Sequence, residues 1–284
     1  MSQSAIRSAM HKVGFITPPG WFDISPMEFM CIAPANTIVM QTTMRPHDFD
    51  YSPEHVRSAV GELGLCARSL AAAGAAVVAQ FGYPFSFVHG WPEAQRVQET
   101  IEQDVQTPIV MMGVEVIHAL RHVGCKSVAV AATYYSDAMA ERLLGYLAQA
   151  GVNVSHCQNW QSQGLVAPSA TGTFVGQGEL DPMGWETPAW AVEEAVRKVA
   201  RSAPEADCVL VTGGGMRLLN LADALEKEVG RPIVAGDLTL YWGILRRLGI
   251  ETGIKGHGRL LASLGQGGAP ANGWKRQDAR KEST

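Results

Sequence analysis

Along the chain, short β-rich apolar runs alternate with longer stretches of helical spacing, the pattern of a parallel α/β protein. Residues 13–17 predict a first strand, which Pro18-Pro19-Gly20 ends by removing backbone donors and fixing φ. Residues 37–42 predict an extended segment. Ser52-Pro53 then opens a helix as N-cap and first helical residue, and Val56, Val60, Leu63 and Leu70 carry its apolar face to a stop at Gly74. A strand from Ala75 runs into Gly82. Beyond it come Phe85-Ser86-Phe87-Val88-His89-Gly90-Trp91, a polar helix from Gln95 to Asp104, a strand at Pro108-Ile109-Val110 and a helix ending at Gly124.

The second half repeats the order. Residues 128–135 answer residues 13–19, a helix capped by Ser136 runs through Met139, Leu143, Leu144 and Leu147 to Gly151, and Pro232-Ile233-Val234 answers Pro108-Ile109-Val110 before a helix ending at Gly249. Between them Asp207-Cys208-Val209-Leu210-Val211-Thr212 runs into Gly213-Gly214-Gly215, the counterpart of the corner at Gly82. Two copies of a three-strand α/β unit are therefore expected. They form two pseudo-symmetric, Rossmann-like lobes with parallel sheets, one of residues 1–118 plus 237–284 and the other of residues 119–236. Residues 158–187, with Trp160, Trp185 and several glycines, break the period and read as a lid, a binding loop or a surface insertion. The tail from Gly265 is rich in glycine and charge and is expected to be disordered.

A content of 46% hydrophobic residues suits two lobes with sizeable cores, and a net charge of −4 offers no cationic face for nucleic acid. No apolar run approaches the ~20 residues of a membrane span. The first 12 residues lack the apolar core of a secretory signal, so a cytoplasmic location is expected. Cys31, Cys66, Cys125, Cys157 and Cys208 show no zinc spacing and are odd in number, so reduced thiols are expected, with Cys66 and Cys208 as buried structural ones. Self-association into a homo-oligomer is left open.

A strand that ends in glycines before a helix turns bare N–H groups outward, where the helix dipole adds positive potential. In a parallel sheet such corners lie at the ligand-binding edge. Two of them, at Gly82 and Gly213, facing one cleft would suit a small carboxylic acid, although glycines also serve simply to turn a strand under a helix.

These residues carry a resemblance. Gly74-Ala75-Ala76-Val77-Val78 with Gly82 and Phe85-Ser86-Phe87, Tyr135 with Glu141-Arg142-Leu143, the Gly213-Gly214 corner, and Gly256-His257-Gly258-Arg259-Leu260 together resemble the aspartate/glutamate racemase superfamily. The branch they resemble most is that of arylmalonate decarboxylase and maleate cis-trans isomerase, and the likeness extends from about Val13 to Leu264. It implies a site free of cofactor and metal between the lobes, in which corner cysteines act as acid/base groups or nucleophile and amides, hydroxyls and a tyrosine hold an enediolate. The family's cysteine positions fall on Gly82 and Gly213, and its first-corner hydroxyl residues fall on Tyr83 and Pro84. Thiol chemistry in its usual form is thus excluded.

What remains is an expected oxyanion pocket of Tyr135, Thr212 and the N–H groups of Gly213 and Gly214, lined also by Pro18, Gly82 and Pro84, whose proline lacks an N–H. The candidates for a substitute proton donor are Tyr83, His89 and Asp237, and Tyr135 counts with them as a catalytic residue of the pocket. His89 equally suits a packed histidine, Asp237 a helix N-cap and Tyr135 a core tyrosine. The expectation is a cofactor-independent lyase of the arylmalonate decarboxylase type, acting on a small mono- or dicarboxylic acid through an enolate-like intermediate with a non-cysteine proton donor. The alternatives are a non-catalytic carboxylate-binding homologue and an isomerase of altered chemistry.

Overall fold

The computed structural model describes residues 10–21, 23–168, 172–181 and 187–266. Its strands form two four-stranded sheets, all of whose pairings are parallel. The first holds β1 (His11–Thr17), β2 (Thr37–Thr43), β3 (Val77–Gln80) and β4 (Ile109–Met111) in the order β2-β1-β3-β4. The second holds β5 (Ser127–Thr133), β6 (Asn153–Asn159), β7 (Cys208–Val211) and β8 (Ile233–Ala235) in the matching order β6-β5-β7-β8. Every residue of the inner strands β3 and β7 is buried, as expected of apolar runs covered on both faces by helices.

The repeat is a four-strand unit rather than the expected three-strand one. The extended segment at residues 37–42 is the edge strand β2, and its counterpart β6 carries the sequence Asn-Val-Ser-His-Cys-Gln-Asn, whose partly exposed edge position needs little apolar signal. A short helix, α1 (Ser25–Met30), lies between β1 and β2. The Ser52 cap is present, its hydroxyl accepting the His55 N–H at 3.4 Å, but the helix expected to run on to Gly74 is interrupted. It comprises α2 (Pro53–Ser58) and α3 (Val60–Ala72), separated at Ala59.

The remaining crossovers are α4 (Pro84–Phe87), α5 (Trp91–Val105), α6 (Met112–His122), α7 (Asp137–Gln149), α8 (Ala189–Ser202), α9 (Ala222–Val229), α10 (Gly236–Arg247) and α11 (Arg259–Ala262). Ser136 occupies the N-cap of α7 without a capping hydrogen bond from its side chain. Within residues 158–187 the chain is partly ordered by the backbone. Val175 donates to the Tyr134 carbonyl at 2.6 Å, and Phe174 bridges Tyr135. Trp185 and the tail beyond residue 266 lie outside the described residues. No helix among the described residues is long and apolar enough to cross a membrane.

The expectation of reduced thiols fails for two of the five cysteines. Cys125, in the turn after α6, is disulfide-bonded to Cys208, the first residue of β7, with Cα atoms 6.1 Å apart across a sequence separation of 83. Neither sequence neighbourhood signals the pair, because it is the parallel pairing of β5 with β7 that brings them together. Cys66 is buried as expected, Cys157 is half-buried and Cys31 is exposed. A crosslink closing so long a loop restricts the unfolded chain and is worth about 4.5 kcal/mol. Denatured, unreduced protein should therefore expose three alkylatable thiols, and Cys125→Ser should lower the unfolding free energy by that amount. Five alkylatable thiols and an unchanged denaturation midpoint would count against the crosslink.

Candidate functional site

β3 and β7 end at the same place. After β3 the chain turns through Phe81 and Gly82, whose φ of 112° is open to glycine and strained for other residues. Gln80 steadies this turn by donating to the carbonyls of Phe81 and, at 3.1 Å, Gly82. After β7 it turns through Thr212, Gly213 (φ 91°) and Gly214. The two corners meet directly. Tyr83 donates its hydroxyl across the cleft to the Val211 carbonyl at 3.1 Å, and the Phe81 ring lies so close that a Cβ on Gly214 would stand 2.5 Å from it.

Between the corners lies a cavity of about 20 Å³, room for one water molecule. Of the residues expected to bind or react there, Pro18, Gly82, Tyr83, Pro84, Tyr135 and Gly214 line it. Thr212 and Gly213 stand behind this wall. The Thr212 hydroxyl donates back to the Ala131 carbonyl at 3.4 Å. Trp21, Tyr51, Phe81, Phe85, Tyr134 and Phe174 complete the lining, so the cleft is walled mainly by aromatic rings. Among these Tyr134, Tyr51, Trp21 and Phe174 escape sequence reasoning, and the only local signal is the doubled tyrosine at 134–135.

The expectation that the Gly213 and Gly214 amides stand free for a ligand is corrected. The Gly214 N–H donates to the Tyr134 hydroxyl oxygen, and the Gly213 N–H to that of Tyr135. Both phenols are fully enclosed, and burial pushes each well above the ordinary tyrosine range, as it does Tyr83. Nor does Gly213 leave space for a larger residue. A Cβ there would approach Thr133 Oγ1 to 2.6 Å and the Tyr134 ring to 2.8 Å.

His89 and Asp237 are not on the cavity wall. His89 sits just beyond α4, half-buried, with burial and then the nearby Arg57 pulling it below the ordinary histidine range. Asp237 supports the second corner from behind, neither free acid nor N-cap but the second residue of α10. Its Oδ2 accepts the Leu218 N–H at 2.7 Å and its Oδ1 the Leu238 N–H at 2.8 Å.

Asp237 belongs to a buried carboxylate cluster with Asp23 and Glu28. Asp23 Oδ1 accepts the Ser25 N–H at 2.8 Å, while Oδ2 is buried without a partner. Glu28 accepts the Tyr241 hydroxyl at 2.9 Å, with Arg217 at 3.9 Å. Burial raises Asp237 and lifts Asp23 to about 6 and Glu28 to about 7, Asp237 adding its repulsion to both. Among the described residues no group of three or more histidine, cysteine or acidic side chains is arranged to hold a metal ion.

This arrangement of paired glycine corners has a family. The arylmalonate decarboxylase family model matches residues 13–172 and 183–261. The chain belongs to the arylmalonate decarboxylase family. It is 28% identical over 196 residues to arylmalonate decarboxylase of Bordetella bronchiseptica, a match covering 69% of this chain and 75% of that protein. A crystal structure of arylmalonate decarboxylase superposes with a TM-score of 0.69 at 22% identity, covering 89% of this chain and 99% of the other. The fold is shared equally with a cysteine-to-serine mutant of Nocardia farcinica maleate cis-trans isomerase bearing a covalent succinylcysteine intermediate. That structure gives a TM-score of 0.72 at 22% identity and covers 89% of this chain and 99% of the other. The family thus joins decarboxylase sequences to a fold that also serves isomerases.

Two outcomes follow from the packing. Gly213→Cys should cost about 2 kcal/mol or more, because a side chain there meets both a strained φ and the Tyr134 ring, and Tyr134→Ala in the same chain should restore part of the loss. Denaturant unfolding that shows Gly213→Cys as stable as the parent would contradict the packing. The carboxylate cluster carries a pH signature. Asp23 and Glu28 hold their protons in the folded chain to higher pH than in the unfolded chain, so the stability they contribute is full below about pH 4 and is lost as pH rises through about 6 to 7. Asp23→Asn should gain about 2 kcal/mol on the parent at pH 8 relative to pH 4, read as the difference between two unfolding series. A difference that does not change with pH would remove Asp23 from the cluster.

Proposed function

We infer that the chain is a cofactor-independent lyase of the arylmalonate decarboxylase type, taking a small aryl-substituted dicarboxylic acid between the Gly82 and Gly214 corners. The observation that carries this reading is the convergence of two strand-end corners on a single cavity edged by amides and phenols, in a chain of that family. Bond making is simple. The bond from Cα to one carboxyl carbon breaks, CO₂ leaves, and the electron pair passes into the remaining carboxylate as an enediolate. A proton delivered to Cα completes the product.

Electrostatic stabilisation of the enediolate is the larger task, and each well-placed donor is worth about 3 kcal/mol. The Gly214 amide points toward the Tyr134 hydroxyl, the position where a ligand oxygen would lie. Tyr83 has committed its proton to Val211. Tyr135 accepts from Gly213 and so keeps its own proton for the ligand, which makes it the proton donor of this reading, directly or through one water. A phenol held so far above its ordinary range gives up its proton reluctantly, and turnover is expected to be slow.

That same property favours one rival, a carboxylate-binding homologue without catalysis. The wild-type chain should release CO₂ from both phenylmalonate and α-methyl-α-phenylmalonate. Tyr135→Phe should lower kcat about 100-fold while leaving phenylacetate affinity within a small factor. Saturable binding of phenylacetate with no turnover of malonates or maleate would select the non-catalytic homologue instead.

A further inference from the structure

We propose that Tyr134 is the specificity-determining residue of this cleft, an internal competitor whose hydroxyl occupies the seat of a ligand oxygen and must leave before a carboxylate can enter. The proposal rests on the carboxylate-binding site inferred above. Its first support is the hydrogen bonding. The Tyr134 hydroxyl oxygen takes the Gly214 N–H and its proton reaches the Gly214 carbonyl at 3.4 Å, so one phenol satisfies the donor and acceptor of the corner residue that faces the cavity. A glycine amide that would otherwise meet a ligand oxygen is thereby satisfied from within.

The second support is steric. The Tyr134 ring fills the space in front of Gly213 and reduces the cavity to about 20 Å³, too little for any organic acid. The ring packs through edge and tilted contacts, with centroids 5.8 Å from Trp21, 5.8 Å from Trp160, 5.4 Å from Phe174 and 5.4 Å from Tyr135. A ring that swings away leaves a flat slot with a free amide at its base.

The third support is strain in the backbone that aims it. Thr133, immediately before Tyr134, is a buried β-branched residue at φ 46°, where such residues rarely settle. It lies at an irregularity in the pairing of β5 with β6 and is held by its hydroxyl on the Thr212 carbonyl at 2.9 Å. Strain of this kind persists where the surroundings impose it, and it clusters at active sites, ligand clamps and switch segments. Thr133 is the hinge of the plug.

The experiment is calorimetric titration of the full chain and its Tyr134→Phe and Tyr134→Ala variants with phenylacetate at neutral pH. Tyr134→Phe keeps the ring and removes the competing oxygen, so phenylacetate should bind about fivefold more tightly than to wild type, and Tyr134→Ala, which also opens the slot, should exceed that. A tyrosine that merely supports the fold, or that donates to the ligand, predicts the opposite sign. Wild-type binding that is equalled or weakened in Tyr134→Phe overturns the plug and leaves the inferred site standing. Binding by none of the three proteins overturns both. A measurement on unaltered protein guards against a variant that fails to fold. Saturation with phenylacetate should shift tryptophan emission as the ring leaves Trp21 and Trp160, and saturable binding with unchanged emission overturns the plug.

Discussion

The geometry of the cleft depends on one helix contact, that of α6 with α10. Each helix starts at the residue after its edge strand, Met112 after β4 and Gly236 after β8, so neither has a loop in which to absorb movement. They approach closely because Gly243 has no side chain. A Cβ there would stand 2.9 Å from both Glu115 Cγ and Val110 Cγ1. Glu115 is fully buried at this crossing, and although burial would raise it, Arg247 at 3.2 Å and His118 at 3.3 Å hold its carboxyl below the ordinary range. A charge so enclosed is retained only with its partners, and removing one would leave the other uncompensated. The helix pair therefore sets how far apart β3 and β7 end, and with that whether two corners form one site.

Given that spacing, the corners leave little room, and they are filled with rings rather than water. Gly236 admits the Tyr83 ring, since a Cβ would come to 2.6 Å of it, and from there the Tyr83 hydroxyl reaches Val211 in the opposite sheet. Polar groups at the centre are then satisfied by phenols, which carry one polar atom at the end of a large apolar body and so suit a dry seam. The carboxylates are kept one layer back, where Asp237 fastens Leu218 and thereby the end of the glycine corner. The second corner is thus supported from two sides, by tyrosines in front and by an acid behind.

Most of this frame was legible in the chain. Apolar runs ending in glycine at Gly82 and Gly213, and edge strands introduced by Pro108 and Pro232, follow from local preferences that survive folding. β6 was hidden because an edge strand with polar residues has no period to find. The break at Ala59 interrupts an otherwise continuous helical spacing. The Cys125–Cys208 crosslink, the Asp23–Glu28–Asp237 cluster and the capture of the Gly214 amide by Tyr134 are long-range facts, joining residues up to 214 positions apart, as Asp23 and Asp237 are, and no local pattern encodes them. Pro18 was legible because a strand end points it at the cleft, and Tyr135 because the resemblance marks a tyrosine there. His89 was misplaced because a residue a few positions past a corner has already turned away with α4.

Glycine at 213 is therefore not a vacancy. The resemblance looks for a thiol at that position, and a chain that had merely lost the thiol would keep the space it occupied. Here Thr133 Oγ1 and the Tyr134 ring stand within 3 Å of any added Cβ, and the Gly214 amide already has an oxygen in front of it. Gly213 and Tyr134 are complementary choices: the ring fits because the side chain is absent, and the side chain cannot return while the ring is there. The same holds more loosely at Gly82, where Pro18 and Phe85 crowd the position at 3.2 Å. On the proposed reading the site sets a bulky phenol of raised pKa where the resemblance places a small, acidic sulfur, and so forgoes fast proton delivery. What it retains is amide geometry, and any chemistry it performs must draw its rate from holding charge rather than from moving protons.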